Sequence, residues 1–280
     1  MKTIGIIGLG YVGSAVAASY SNQKILVNDL KDPVGSASYE TMMSQCSAIF
    51  VCVPTDSGLD GACDTSILEN VLHTLQGYGG IIIGKCTAPP QVYVRLQDTL
   101  QINLAHVPEF LTQARAGYDY INPHKIVVGC EEKLRNKVTE ILMLSDINFN
   151  KVNIEYCDIA CASLFKYFAN SMLAVKVVLN NEFAELATKL GVDWESITRI
   201  AFKDSRLGHT HWAVPGPDNQ KGFGGSCFPK DTAALVNIAV LHDVELSVLS
   251  TALLTNKALR NKKSHELPQD KEVVNPLNEK

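Results

Sequence analysis

The stretch from Thr3 to Asp29 constrains this chain most. Thr3 to Ile7 is a short apolar run that ends in Gly8-Leu9-Gly10-Tyr11-Val12-Gly13, and the small residues Ser14 to Ser19 follow with helix-compatible composition. A β-strand feeding a helix through a glycine turn lets backbone approach a bound group closely. A second apolar run, Lys24 to Asn28, ends in Asp29, which puts an acidic side chain at the tip of the next strand. There a carboxylate can accept hydrogen bonds from a ribose diol while the helix N-terminus holds a pyrophosphate. Glycine spacing alone is a weak sign; strand, turn, helix and acid together predict a dinucleotide site. The acid favours NAD over NADP, because a carboxylate repels a 2′-phosphate.

Short apolar runs recur at Ala48 to Val53, Gly80 to Gly84, Ile102 to Val107 and Lys125 to Gly129, separated by helix-like segments. That pattern predicts repeated βαβ units and a doubly wound parallel sheet, an α/β domain over residues 1–155. The strand ends carry Pro54-Thr55, Cys86-Thr87 and Pro108-Glu109, which would line the crevice at the carboxyl edge of such a sheet. From Cys157 to Leu190 there is no proline or glycine, so one long helix opens a second, all-α domain over residues 156–264. Lys166 and Asn170 share a face of it, whether turned to solvent or to a cleft. Gly191 ends the helix, Asp193 caps a shorter one to about Lys203, and two further helices are expected over Thr232 to Leu241 and Leu246 to Lys262. Residues 265–280 are charged and proline-containing and read as a solvated tail.

The formal charge of -4 is small and no basic run occurs, which sets aside nucleic acid and anionic membrane as main partners. No apolar run approaches about 18 residues, so no membrane span is expected. The eight cysteines are scattered, mostly inside apolar runs, and Met1 leads almost directly into a strand; a reducing cytoplasm is the expected compartment. Cys157 and Cys161 lie one helical turn apart, but no second pair stands at ligand spacing, so no metal site is expected.

Gly222 to Asp231 reads Gly-Phe-Gly-Gly-Ser-Cys-Phe-Pro-Lys-Asp. Glycines before Cys227, a proline after it and Lys230 close behind suit a thiol on a tight turn at a helix start, where the helix end and an ammonium favour the thiolate. A cysteine buried in a glycine-rich turn is the plainer alternative.

Taken in order, Gly8 to Gly13, Val53-Pro-Thr55, Pro108 to Leu111, Lys166 to Asn170, Asn181-Glu182, Asp204 to Gly208 and Gly222 to Asp231 make the chain resemble the UDP-glucose/GDP-mannose 6-dehydrogenase family along nearly its whole length. The resemblance implies a Rossmann domain followed by a helical dimerisation domain. It also implies an NAD-dependent enzyme that oxidises a hexose C6 alcohol to the acid in two steps, with UDP-glucose to UDP-glucuronate as the leading substrate and product. Cys227 would capture the aldehyde as a thiohemiacetal and carry the resulting thioester. Lys166 and Asn170 would hold the developing oxyanion, Asp231 would position water or serve as base, and Thr87 would help place that water. The resemblance assigns NAD to Gly8, Gly10, Tyr11, Val12, Gly13, Asp29, Val53, Thr55, Thr87, Gln113 and Lys230. It assigns substrate to Glu109, Phe110, Leu111, Lys166, Asn170, Arg206, Gly222 and Gly224.

Three departures stand out. Gln113 replaces the glutamate usual in the family, the connection from Asp29 to Val53 is short, and the chain stops after the helix containing Asn256, before the family's C-terminal nucleotide-binding domain. The nucleotide would then be held by the Val214 to Gly222 loop, by a dimer partner or only weakly, which leaves its identity open. Two alternatives remain: a single-step dehydrogenase of the 3-hydroxyacid and 6-phosphogluconate type, which has no use for Cys227, and a non-catalytic NAD-binding subunit. The long helix has more apolar surface than one small helical domain covers, so a homodimer is expected.

Overall fold

Alternating apolar and amphipathic stretches set down strands and helices in turn. The computed structural model describes residues 1–32, 34–58 and 60–261. The elements are β1 (Thr3–Ile7), α1 (Tyr11–Ser19), β2 (Lys24–Asn28), α2 (Tyr39–Gln45), β3 (Ala48–Val51), α3 (Ser66–Thr74), β4 (Ile81–Gly84), α4 (Pro90–Leu100), β5 (Leu104–His106), α5 (Ala116–Ile121), β6 (Ile126–Cys130), α6 (Arg135–Leu142) and β7 (Ile154–Cys157). The helical part follows as α7 (Ile159–Lys189), α8 (Trp194–Ala201), α9 (Phe228–Leu241) and α10 (Ser247–Asn261).

The seven strands form one sheet in the order β2-β1-β3-β4-β5-β6-β7. Every described pairing is parallel except β5 with β6, where Ala105 faces Cys130 and His106 faces Gly129 in antiparallel register. The mostly parallel sheet is the doubly wound α/β architecture expected; the one antiparallel pairing carried no signal, because periodicity reports which face a residue takes and not strand direction. An antiparallel neighbour needs no crossover, so the connection carrying Pro108 to Leu111 stays at the carboxyl edge of the sheet. β7 had no apolar run to announce it: it is an edge strand with Glu155 and Tyr156 exposed.

Side chains alternating along the strands fill both faces. Ile4, Ile6, Phe50 and Ile83 pack with Val16 of α1 and with Tyr20, which follows that helix, on one side. Ile49, Val51 and Ile82 pack with Leu68 and Leu72 of α3 and Leu96 of α4 on the other. Such two-sided burial is why these strands read as continuous apolar runs.

Asp158 caps α7 by accepting from the Cys161 backbone N–H at 2.7 Å, which places Cys157 in β7 and not at the helix start expected for it. The helix then runs 31 residues, about 46 Å at the usual rise. By length and composition α7 could cross a bilayer, contrary to the expectation of no such segment. In this fold it packs against α4, β6, α9 and α10, and the face it buries includes Lys166, Asn170, Asn180 and Asn181. The tail at 265–280 lies outside the described residues.

Candidate functional site

At the first turn Gly8 sits at φ +89°, and a Cβ there would lie 2.7 Å from the Cys52 carbonyl oxygen. A Cβ on Gly13 would lie 1.9 Å from the Gly8 carbonyl oxygen, so α1 can meet β1 this closely only through a glycine. Gly10 has nothing within 4 Å of its Cβ position, which leaves the helix N-terminus open to a bulky anion. Asp29 stands at the tip of β2, its carboxylate accepting from the backbone N–H of Leu9 at 2.5 Å and of Lys31 at 2.8 Å. Those donors lower its pKa, so the acid is ionised where a ribose would lie. Close backbone approach, an open helix end and an ionised acid at the second strand tip fit a dinucleotide.

Val53 and Thr55 continue the chain beyond β3, and the Thr55 hydroxyl donates to the Thr87 carbonyl at 2.7 Å, tying two neighbouring strand ends together. The Cys63 thiol points to the same carbonyl at 3.7 Å.

Cys227 occupies the N-cap of α9, with Pro229 in the first turn, where the turn and proline suggest a helix start. Its sulfur is 3.4 Å from the phenol oxygen of Tyr11, in the glycine turn at the other end of the chain. Burial and the hydrogen bond with Cys227 raise the Tyr11 pKa well above the usual phenol range, so the phenol stays protonated beside the sulfur. One turn into α9, Asp231 is buried and accepts from Asn170 Nδ2 at 2.6 Å and from Lys230 Nζ at 2.6 Å. Burial by itself would lower the Lys230 pKa, but the Asp231 charge outweighs it and the ammonium is held protonated. Lys166, also buried, donates to the Glu109 carbonyl at 2.6 Å and pairs with its carboxylate at 3.2 Å. Glu109 in turn accepts from the Leu111 N–H at 2.6 Å, and the Phe110 ring lies 5.2 Å from the Lys166 ammonium. α7 therefore sends a cation to the β5 edge and an amide to α9, linking the glycine turn, the strand ends and the thiol in one cleft.

Residues 29–144 match the NAD-binding domain, and residues 160–258 the central domain, of the UDP-glucose/GDP-mannose dehydrogenase family. The chain belongs to that family. A UDP-glucose 6-dehydrogenase of Rickettsia bellii is 30% identical over 227 residues, 78% of this chain and 51% of the relative. A Bacillus subtilis UDP-glucose 6-dehydrogenase is 32% identical over 243 residues, 79% of this chain and 53% of the relative. The chain thus spans about half the length of these family members. A solved UDP-glucose dehydrogenase from Pyrobaculum islandicum superposes with TM-score 0.77 at 24% identity, covering 92% of this chain and 68% of that one. A Mycobacterium tuberculosis 3-hydroxyisobutyrate dehydrogenase superposes with TM-score 0.69 at 17% identity, covering 92% of this chain and 94% of that one. These two likenesses show the fold that the family shares more widely.

Two expected residues of this family member stand apart from the cleft. Arg206 is 86% exposed and spends its guanidinium on Asp204, at 2.6 Å, two residues away. No group among the described residues draws it inward. Gln113 lies exposed in a short 3-10 turn and its side chain makes no hydrogen bond among the described residues. Gly222, at φ +76°, donates its N–H to Asn181 at 3.1 Å, and Asn256 holds both backbone groups of Phe223, at 2.7 and 3.0 Å. Gly224 lies beneath the Arg260 guanidinium, where a Cβ would come within 2.2 Å of Nη2. Sequence reasoning did not find the roles of Asn181 and Asn256, the contact of Tyr11 with sulfur, or the buried amine of Lys85. Asn181 lies in the Asn181-Glu182 motif; the others carried no local signal.

Proposed function

We propose that this chain is the NAD-binding and central portion of a nucleotide-sugar 6-dehydrogenase that oxidises a hexose C6 alcohol to the acid in two steps, with UDP-glucose as the leading substrate. The observation that carries the reading is the Cys227 sulfur, 3.4 Å from Tyr11 of the dinucleotide turn and one helical turn from Asp231. Hydride acceptance is the chemistry that NAD supplies when bound at Gly8 to Gly13 and Asp29. Cys227 Sγ adds to the aldehyde carbon, so the half-oxidised sugar stays on the protein between the oxidations. Lys166 and Asn170 stabilise negative charge on the sugar oxygen. Asp231, held from two sides, orients water toward the acyl carbon, and Thr87 assists at the strand edge.

All eight cysteines are free, which supports a reducing cytoplasm. We also infer a homodimer. Leu164, Phe168, Met172, Leu179, Phe183 and Leu186 expose between 49% and 57% of their surface along α7, and burying such a stripe favours association. The paired copy is where Arg206 would find substrate. The domain limits are 1–155, 156–264 and the tail.

The test is stoichiometric. With NAD and UDP-glucose the protein yields two NADH per sugar and an acid, and Cys227→Ser passes the first hydride slowly without accumulating a thioester detectable by mass spectrometry. One NADH per sugar with a stable carbonyl product would select the single-step reading, whose fold this chain shares.

A further inference from the structure

Asn256 and Arg260 stand one turn apart on α10 and meet the segment before Cys227 at two levels. Asn256 and Asn181 hold the backbone of Phe223 and Gly222, which pins the base of the 215–222 loop to α10 and α7. The tip is held otherwise. There the Gly216 N–H donates to the Gln220 carbonyl at 2.9 Å and the Gln220 N–H to the Asp218 carboxylate at 3.2 Å, closing a turn that presents Asp218 to Arg260. Arg260 Nη1 lies 2.6 Å from Asp218 Oδ2, and among the described residues no other ion pair or hydrogen bond joins residues 216–220 to the rest of the chain.

The same guanidinium lies across the thiol turn. A Cβ on Gly224 would come within 2.2 Å of Nη2 and 2.9 Å of Nη1, so only glycine lets Arg260 cross three residues ahead of Cys227. Three residues of chain span at most about 10 Å, a gap that a hexose can bridge. Around this crossing the turn, α9 and α10 border an open cleft of about 720 Å³. Its lining holds two cations, Lys257 and Arg260, and no carboxylate; Gly224 and Gly225 contribute backbone, and Leu253 and Leu254 form an apolar wall. Cations beside an apolar wall suit a ligand that is anionic in one part and apolar in another.

We propose that Arg260 binds the diphosphate of the substrate and that Asp218 occupies it until a nucleoside diphosphate takes its place. The role rests on the nucleotide-sugar reading above and names the group that receives the diphosphate. Asp218 is a weak holder: its side chain is 42% exposed, and water screens such a pair. A diphosphate carries more charge than one carboxylate and offers oxygens that a planar guanidinium binds through two parallel hydrogen bonds. It therefore displaces Asp218, with Lys257 adding a second cation from the same helix. Asn181 and Asn256 keep the base of the loop in place meanwhile, so the exchange leaves the thiol turn where it stands.

The test does not depend on turnover. Calorimetric titration of the full chain with UDP, and separately with inorganic pyrophosphate, compares the wild type with Asp218→Asn, Arg260→Ala and Arg260→Lys. Asp218→Asn removes the competing charge and should tighten both ligands about threefold, whereas Arg260→Ala should weaken both about tenfold. Arg260→Lys keeps the charge but not the fork and should fall between the wild type and Arg260→Ala. The double variant Asp218→Asn/Arg260→Ala should bind like Arg260→Ala, because Asp218 competes only through the guanidinium. A pair that merely ties the loop to α10 predicts the same direction for both single changes, so joint weakening overturns the proposal. No binding of UDP by the wild type, or an affinity that Arg260→Ala leaves unchanged, overturns it too. Opposite shifts in a protein that makes no NADH from UDP-glucose would keep the exchange and remove the oxidation reading. Two NADH per sugar with no effect of Arg260→Ala on UDP would do the reverse.

Discussion

The phenol oxygen of Tyr11 lies 3.4 Å from the sulfur of Cys227, a contact between residues 216 positions apart. It joins the turn that would hold the cofactor to the turn that carries the thiol. Tyr11→Phe removes that hydrogen bond and keeps the ring, at a cost of about 1 kcal/mol. NADH formation should fall about tenfold while NAD affinity holds and the melting temperature drops by only about 2–4 °C. Unchanged turnover in this variant would detach Tyr11 from the chemistry.

Gly10 and Gly13 should fail in different ways when changed to alanine. Gly13→Ala drives a methyl against the Gly8 carbonyl, at 1.9 Å, and should lower unfolding free energy by about 3 kcal/mol in a urea titration. Gly10 has an ordinary φ of -67° and open space around its Cβ position. Gly10→Ala should therefore melt like the wild type yet bind NAD about tenfold more weakly by fluorescence, because the methyl stands where the pyrophosphate approaches.

Asp231 is 1% exposed and answers both Asn170 and Lys230. Asp231→Ala leaves the Lys230 ammonium and the Asn170 amide without it and should cost about 3 kcal/mol of stability. Asn170→Ala removes one charge-assisted bond, about 2 kcal/mol. Denaturant unfolding of both single variants and the double variant should show a coupling above about 1 kcal/mol. Additive losses would mean that the bond contributes little in solution.

His106 is expected to weaken the fold as pH falls. It is fully buried, stacked on Tyr93 with ring centroids 4.3 Å apart, and its Nδ1 donates to the Gly84 carbonyl at 3.1 Å. Burial pushes its pKa down to about 3 from the usual 6.5. The folded value lies below the unfolded one, so the contribution of the neutral ring is complete above pH 6.5 and is lost as pH falls toward 3. Within that window stability should decline by up to about 1.4 kcal/mol per pH unit from this residue, and His106→Phe should flatten the slope. A wild-type unfolding midpoint that is level across the window would remove His106 as the cause.

Much of the architecture was already written along the chain. The apolar runs locate six of the seven strands, because residues buried on both faces of a sheet leave a continuous apolar signature. The glycines at 8, 10 and 13, Asp29 at a strand tip, and the proline and glycines around Cys227 report local backbone demands, and local demands are legible one residue at a time. Lys166 and Asn170 share a face because the helix repeat requires it.

What each of those groups meets was decided only by folding. The single antiparallel pairing between β5 and β6 keeps Glu109 at the cleft; the return of α9 against α7 sets Asp231 on Asn170, and the Tyr11 phenol meets a sulfur from the opposite end of the chain. Arg206 turns to Asp204, and Lys85 stays without a carboxylate partner among the described residues, although neither outcome can be read from composition or spacing. Partners distant in sequence are selected by how helices close over the sheet edge, and burial then decides which charges are matched.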